Sequence, residues 1–257
     1  MIIYTYENSG RTQRCAELLG KYDRLGEIDR ITVLPIPTTK DGRMLSGTDV
    51  PLASLLTRAL PGSLVVGYGI PLSLSEELER GGAVVLDALF DEEFLKDNAY
   101  LTALATVGII IKSSDRALND LSFGIVGYGR IGVRLTEMLL FLGARVKVFT
   151  SNADTAALLG EAGVATEESS ADADLSGLDV LINTAPAVIF DSSGASSFLR
   201  DMRIIDLASG ENFPGTNAER YPSIPAKMFP VSSGNVWFRS VKRGLQKREN
   251  DRQGGRV

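Results

Sequence analysis

The sequence predicts an α/β fold of two domains, and three observations support this class. The chain has 257 residues, and at about 150 residues per domain this length favours two domains. Short, continuously apolar runs such as LVV and VLI alternate with helix-length segments. Continuous hydrophobicity is typical of parallel strands that helices cover on both faces. A glycine-rich turn also stands between one such run and a long helical pattern.

Taken in order, the elements repeat a strand and then a helix, which favours parallel sheets. The helical pattern over residues 130–142 stops at Gly143, a common C-terminal signal. Residues 91–112 predict one long helix. The predicted strands are residues 2–6, 31–36, 64–67, 83–86, 123–126, 145–149, 180–183, 204–207 and 227–229.

The polar step Ser113-Ser114-Asp115 is the predicted domain boundary. Residues 1–115 are expected to form an N-terminal α/β domain of the flavodoxin-like kind, on the substrate side. Residues 116–232 are expected to form a Rossmann domain. Residues 233–257 are expected to form a C-terminal helix that packs back on the first domain. Its end, from Lys242, is expected to fray into a disordered tail.

Composition narrows the function classes. A net charge of −5 and a pI near 5.0 argue against a nucleic-acid binder, which needs clustered Lys and Arg. The single cysteine cannot form an internal disulfide, and no run of 18 apolar residues predicts a membrane span, so we expect a cytoplasmic protein. The chain has no histidine, which removes His acid–base catalysis, Ser-His-Asp triads and His-bearing zinc sites. We expect no metal site.

The glycine-rich turn has the order strand, turn, helix, strand that dinucleotide-binding sites require. In that motif the first glycine permits the tight turn, the second lets the backbone approach a pyrophosphate, and the third lets helix and strand pack closely. The helix N-terminus then offers N–H groups to the phosphates. The expected cofactor-binding residues of this turn are Gly127, Tyr128, Gly129, Arg130, Ile131 and Gly132. Arg130 is interpreted either as a phosphate contact or as a solvated helix residue.

The second strand of this unit leads into Thr150-Ser151-Asn152, where an NAD-specific site would carry Asp or Glu. Without that carboxylate the ribose 2′-OH loses an acceptor and a 2′-phosphate meets no repulsion. No arginine follows directly to pair with such a phosphate. We therefore expect NADP, with NAD as the alternative, and count these three residues among the cofactor contacts.

Ligands of open parallel sheets bind beyond the carboxyl ends of the strands. Thr184, Ala185 and Pro186 follow one predicted strand, and Ala208 and Ser209 follow the next, so we expect both loops on the nicotinamide side. The alternative is that they are ordinary loops.

Four polar residues are expected to contact a substrate in a cleft between the domains. Thr38 and Thr39 follow an N-terminal strand, and Asn98 and Thr102 lie on the long helix before the boundary. The alternatives are a plain surface turn and an outer helix face. The sequence assigns no catalytic residue.

These residues resemble a family. LSFGIVGYGRIG is similar to the nucleotide-binding core of D-isomer-specific 2-hydroxyacid dehydrogenases. A longer similarity, to the A-subunit family of dipicolinate synthase, covers most of the chain; its more specific motifs are INT-x-P and DLAS. It runs through the glycine turn and residues 34–39, 97–102, 179–186, 205–209, 229–230 and 234–236.

The resemblance implies a two-domain oxidoreductase that uses NADPH in the last step from lysine-pathway intermediates to dipicolinate. It also implies that the partner is a flavoprotein-like B subunit, and we expect a homo-oligomer. The chain departs from the family at Leu104-Ala105, where Glu-Gly is usual, and over residues 232–239, where Ala-Pro-Lys is lost. Two alternatives remain: a 2-hydroxyacid dehydrogenase, weakened by the missing histidine, and a dinucleotide-binding protein without catalysis.

Overall fold

The computed structural model describes residues 1–190, 202–210 and 212–254. Its contacts divide the chain into two compact units. The first consists of residues 1–98 together with 225–257, and the second of residues 99–224. This division differs from the predicted domains in its boundaries, and the C-terminal residues belong with the N-terminal ones.

The first unit is built on a parallel sheet of four strands in the order β1-β2-β3-β4. A flavodoxin-like sheet has the order 2-1-3-4-5, so the flavodoxin-like expectation is not confirmed. The buried residues around this sheet include Leu34, Val65 and Leu78. The strands are β1 (Ile2–Thr5), β2 (Arg30–Val33), β3 (Ser63–Gly67) and β4 (Val84–Asp87). The helices between them are α1 (Gly10–Gly20) and α2 (Leu72–Arg80), with 3-10 turns at Leu52–Arg58 and Ala88–Phe90.

The last helix packs along α1 within the first unit. Arg14 Nε donates to Asn235 Oδ1 at 2.9 Å, and the rings of Tyr22 and Phe238 meet edge to face, 5.6 Å between centroids. A Cβ on Gly234 would lie 2.5 Å from the Cβ of Arg14, so only glycine permits this approach. The C-terminal helices are α6 (Ile224–Met228) and α7 (Pro230–Gly254). The tail predicted to fray from Lys242 is helical as far as Gly254, within α7, and residues 255–257 lie outside the described residues.

The second unit holds a parallel sheet of six strands in the order β10-β9-β8-β5-β6-β7. Counted within the unit from β5, this is the order 3-2-1-4-5-6 of a Rossmann sheet, which confirms the predicted Rossmann fold. Its strands are β5 (Ser122–Val126), β6 (Arg145–Phe149), β7 (Ala165–Glu167), β8 (Val180–Asn183), β9 (Arg203–Asp206) and β10 (Glu219–Arg220). Its helices are α4 (Arg130–Phe141) and α5 (Ala153–Glu161), with a 3-10 turn at Leu118–Asp120.

Eight of the nine predicted strands are present, with ends shifted by up to three residues. The predicted strand at 227–229 is wrong, because most of it lies in α6, which ends before Pro230. A three-residue segment shows too little periodicity to separate strand from helix. The sequence also missed β7 and β10, which are three and two residues long, mostly polar, and at the sheet edges.

The long helix α3 (Glu92–Ser113) belongs to both units. Asp91 caps its start by accepting from the backbone of Glu93 and Phe94. Farther along, Ala103 and Ile110 are fully buried in the core of the second unit. By length and composition α3 could cross a membrane, but half of its most apolar stretch is buried inside the structure. That burial is what a core helix of a folded domain shows.

Candidate functional site

The glycine turn lies where the order of the Rossmann sheet reverses. It follows β5, which pairs with β6 on one side and with β8 on the other. In open parallel sheets this switch point opens a crevice beyond the carboxyl ends of the strands. The sheet topology therefore places residues 127–132 at the usual position of a bound dinucleotide.

The three glycines of the turn meet different surroundings. Gly127 has φ +87°, a left-handed conformation that glycine adopts without strain. A Cβ on Gly132 would lie 2.2 Å from the carbonyl oxygen of Gly127, so the first turn of α4 packs directly on the loop. A Cβ on Gly129 would meet nothing within 4 Å. The open side of the turn is therefore at Gly129, the glycine at which a pyrophosphate approaches the backbone in this motif.

The start of α4 is suited to an anion. Gly129 is its N-cap and supplies no side-chain hydrogen bond to the start of the helix, and in this motif the N-terminal N–H groups face the phosphates. Arg130 is exposed, whereas Ile131 packs against the core. Tyr128 also packs against that core, and burial, with the nearby charge of Glu137, raises its pKa. Two side chains of this turn pack on the core, while Gly129 and Arg130 are exposed.

The loop after β8 closes on the glycine turn. Thr184 Oγ1 lies 2.9 Å from the carbonyl oxygen of Val126 and 3.2 Å from that of Gly127. Ala185 also stands against Gly127, where an added Cβ would meet the Cβ of Ala185 at 3.2 Å. Pro186 is exposed. The structure thus brings together two of the regions that the sequence predicted for the cofactor.

The residues after β6 form a local turn. Thr150 Oγ1 accepts from the backbone N–H of Asn152 at 3.2 Å, and Asn152 Oδ1 accepts from that of Thr155 at 2.8 Å. Asn152 is therefore the N-cap of α5, while Ser151 is exposed. Because Thr150 accepts one bond, its own hydroxyl proton stays available to a ligand.

Sequence reasoning missed a buried polar cluster beneath the loops after β8 and β9. Asp206 is only 2% exposed and accepts from the side chains of Asn183 and Asn212 and from the backbone of Ala208. Asn183 also bonds both the N–H and the C=O of Ala185. Asn183 and Asp206 stand in the motifs INTAP and DLAS, but their pattern predicted only strand residues. Their signal is a polar side chain at the carboxyl end of a fully buried strand.

Two predicted substrate residues serve the structure of their own loop in the first unit. Thr38 is fully buried, and its Oγ1 accepts from the backbone of Tyr68 at 3.0 Å. Thr39 Oγ1 donates to Asp41 and accepts from the backbone of Gly42. Thr38 is therefore not part of a plain surface turn, and the contact of Thr38 and Thr39 with a substrate stays a prediction.

The two predicted residues on α3 are not on an exposed helix face. Asn98 is half-buried and belongs to the first unit, while Thr102 is 5% exposed and belongs to the second. The alternative of an outer decoration is therefore not what the structure shows. Their contact with a substrate stays a prediction.

The first unit contains a separate cavity of about 570 Å³ that none of the predicted site residues lines. Phe90, Asp91, Trp237 and Arg243 are part of its wall. Burial by itself would raise the pKa of Asp91, but hydrogen bonds from Arg243, Ser240 and the backbone of Phe94 hold it below its ordinary value. Asp91 is thus an ionised partner of Arg243 that ties α3 to α7.

The chain was compared with known protein families, sequences and solved structures. No protein-family model matches the chain. The A subunit of dipicolinate synthase from Bacillus subtilis (strain 168) is 26% identical over 226 residues, which cover 82% of this chain and 75% of that protein. The crystal structure of its counterpart from Bacillus halodurans superposes with a TM-score of 0.76 at 19% identity, covering 95% of this chain and 96% of that one. The chain resembles the A subunit of dipicolinate synthase.

The same fold also occurs in other proteins. A transhydrogenase from Sinorhizobium meliloti has a TM-score of 0.63 at 16% identity, covering 96% of this chain and 94% of that one. A D-lactate dehydrogenase from Treponema pallidum has a TM-score of 0.54 at 11% identity, covering 97% of each chain. At these identities the likeness is one of fold.

Proposed function

We propose that this chain is an NAD(P)-dependent oxidoreductase similar to the A subunit of dipicolinate synthase, acting by hydride transfer on a small carboxylic-acid substrate. One observation carries the proposal. At the switch point of a Rossmann sheet, the turn is closed at Gly127 and Gly132 and open at Gly129. In this motif the glycine on the open side is the one at which a pyrophosphate approaches the backbone.

The residues present fit a nicotinamide dinucleotide. The first N–H groups of α4 would hold the pyrophosphate, and Thr150 would face the adenosine ribose. When bound, the nicotinamide supplies or accepts a hydride. With no histidine in the chain, protons come from water, Tyr, Lys or a carboxylate. The flavoprotein-like partner and the homo-oligomer remain part of the proposal.

The test is dinucleotide binding by titration calorimetry with NADPH and NADH. Gly129→Val should abolish binding while the protein stays folded, because the added side chain fills the space that the phosphates need. Gly160→Val is the matched control, since Gly160 lies on α5 and a Cβ there also meets nothing within 4 Å. Equal affinity in Gly129→Val and the unmodified protein would contradict the proposal.

We further propose that NADP(H) binds at least as tightly as NAD(H), because Thr150 stands where a carboxylate would select NAD. Thr150→Asp should shift the preference toward NAD(H) by about tenfold, or about 1.4 kcal/mol, since the new carboxylate accepts from the ribose 2′-OH and repels a 2′-phosphate. Ala157→Asp, at an exposed position of α5, is the control. A clear preference of the unmodified protein for NADH overturns this part.

A second candidate is a dinucleotide-binding protein without turnover. Leu104, which is exposed on α3, stands where the resembling family usually has Glu, and this removes an acidic group. Oxidation of NADPH in the presence of small unsaturated or keto carboxylic acids separates the two candidates. Binding without turnover favours the second.

A further inference from the structure

Asp206 is a buried carboxylate that joins two loops of the second unit. Its Oδ1 lies 2.8 Å from Asn183 Nδ2 and 3.2 Å from the backbone N of Ala208. Asn212 Nδ2 reaches both of its oxygens, at 3.3 and 3.2 Å. Among the described residues no Lys or Arg pairs with it. We propose that Asp206 is a positioning residue that sets the nicotinamide end of the cofactor site, an inference that rests on the proposed function.

The first loop is held through Asn183. This side chain donates to Asp206 and to the carbonyl of Ala185, and its oxygen accepts from the N–H of Ala185 at 3.1 Å. Ala185 therefore cannot move without breaking hydrogen bonds to a side chain that is itself 1% exposed. The orientation of the loop after β8 depends on the group that Asn183 bonds.

The second loop is held through Asn212 and Ala208. Asn212, which is 4% exposed, donates to Asp206 and also to the carbonyl of Ser209 at 3.2 Å. Ala208 donates its backbone N–H to the same carboxylate. The side chain of Asp206 thus accepts hydrogen bonds from groups that hold both loops.

The position of the cluster assigns it to one end of the cofactor. A Rossmann sheet consists of two mononucleotide-binding halves on either side of the switch point. Thr150, on the β5–β6–β7 half, lies where adenosine specificity is set, so the β8–β9–β10 half receives the nicotinamide nucleotide. Asp206 ends β9 and its amide partners flank it, so its effect should be confined to that half.

The experiment compares two ligands that differ in the nicotinamide ring. NADPH carries the ring, and 2′-phospho-ADP-ribose lacks it but keeps the rest of the dinucleotide. Asp206→Asn should weaken NADPH by about tenfold or more and leave 2′-phospho-ADP-ribose within about twofold, because the amide cannot accept from all the N–H donors that face it. If NADH proves the tighter cofactor, NADH and ADP-ribose form the pair.

Asp179→Asn is the matched control, at the amino-terminal end of the strands of the same sheet. Asp179 precedes β8, accepts from the backbone of Ser122 and pairs with Arg116. Its replacement should leave the affinity of both ligands unchanged even where it lowers stability. Asn212→Ala removes one hydrogen-bond donor and keeps the Asp206 side chain. If Asp206→Asn fails to fold, Asn212→Ala serves as the second test: it should weaken the binding of NADPH and leave that of 2′-phospho-ADP-ribose unchanged.

Three results would overturn the inference. Unchanged NADPH affinity in Asp206→Asn means that the cluster does not act on the cofactor. A parallel loss for both ligands means that the cluster only maintains the fold. An unmodified protein that binds neither ligand removes the proposed function itself, and with it the inference.

Discussion

The three glycines of the turn have different surroundings that their sequence pattern does not reveal. That pattern predicts three glycines with three roles, and the sequence alone locates all of them. Only the structure shows that a Cβ added to Gly132 would lie 2.2 Å from a backbone carbonyl oxygen, whereas a Cβ added to Gly129 would meet nothing within 4 Å. Substitution by alanine should therefore lower the stability of the protein at Gly132 and leave it nearly unchanged at Gly129.

We expect Gly132→Ala to destabilise the folded protein by about 1–3 kcal/mol, because the methyl group meets backbone that cannot move aside cheaply. The better helix propensity of alanine offsets this by less than about 1 kcal/mol. Gly129→Ala should leave stability within about 0.5 kcal/mol of the unmodified protein. Urea unfolding measures both, and equal free energies of unfolding would contradict the packing argument.

Other site residues were predictable only by type. The sequence placed Thr38 after a strand, but it could not show that the hydroxyl bonds Tyr68 rather than a ligand. The sequence placed Asp206 inside the predicted strand 204–207, yet its partners Asn183 and Asn212 lie 23 and 6 residues away. Side-chain pairing across loops depends on tertiary distances, which no local pattern carries.

Among the elements, α3 and α7 are joined by ion pairs in the first unit. Arg243 donates from Nε and Nη2 to Asp91, and Arg239 pairs with Asp97 at 2.8 Å. The side chain of Asp91 is 19% exposed and that of Arg243 is 37% exposed, so water screens the pair only in part. Asp91 also caps α3, so one carboxylate stabilises a helix start and a helix–helix contact.

Asp91→Asn should lower the free energy of unfolding at pH 7 by about 1 kcal/mol, a value reduced for solvent screening. Because the pKa of Asp91 is lowered in the folded protein, its contribution is complete above its unfolded pKa of about 4 and is lost as pH falls through the folded pKa. The difference from the unmodified protein should therefore shrink below about pH 4.

Denaturant unfolding at pH 7, 4 and 3 follows this difference. Asp49→Asn, at an exposed position of the same unit, is the control and should change little at any pH. A destabilisation by Asp91→Asn that is as large at pH 3 as at pH 7 would show that the carboxylate charge is not responsible.

Elements with long apolar runs were predictable, and short polar ones were not. β5, β6 and β8 are four or five residues long and mostly buried, so their composition identifies them. β7 and β10 form because a neighbouring strand offers unpaired backbone groups, a reason that lies in the sheet and not in their own residues.

At the scale of the whole molecule, we expect a bound cofactor to stabilise the second compact unit more than the first. Ligand binding to the native state stabilises it by mass action, by about 2.7 kcal/mol at a hundredfold excess over Kd. NADPH should therefore slow amide hydrogen exchange in the second unit, most strongly in residues 122–132 and 180–186. Exchange measured by mass spectrometry tests this, with Gly129→Val as the variant that should lose the effect. Protection centred on the first unit would place the ligand elsewhere.

The sequence predicted the class of both sheets and the return of the C-terminal segment to the first domain, but not the contacts that hold that segment there. Patterns along the chain favour domains made of consecutive residues, and the return of α7 to α1 is set by packing between distant positions. A Cβ on Gly10 would meet Pro230 at 2.8 Å, and one on Gly234 would meet Arg14. These close approaches are visible only when the two helices are side by side.

The packing of α1 against α7 also determines which unit can fold first during synthesis on the ribosome. Arg14 and Asn235 are 221 residues apart, so α1 leaves the exit tunnel long before its partner is made. The second unit is complete once residue 224 has emerged, whereas the first still lacks a helix that covers it. We therefore expect the Rossmann unit of the nascent chain to be complete before the first unit. Until α7 is made, the side of α1 that it covers is exposed and accessible to chaperones.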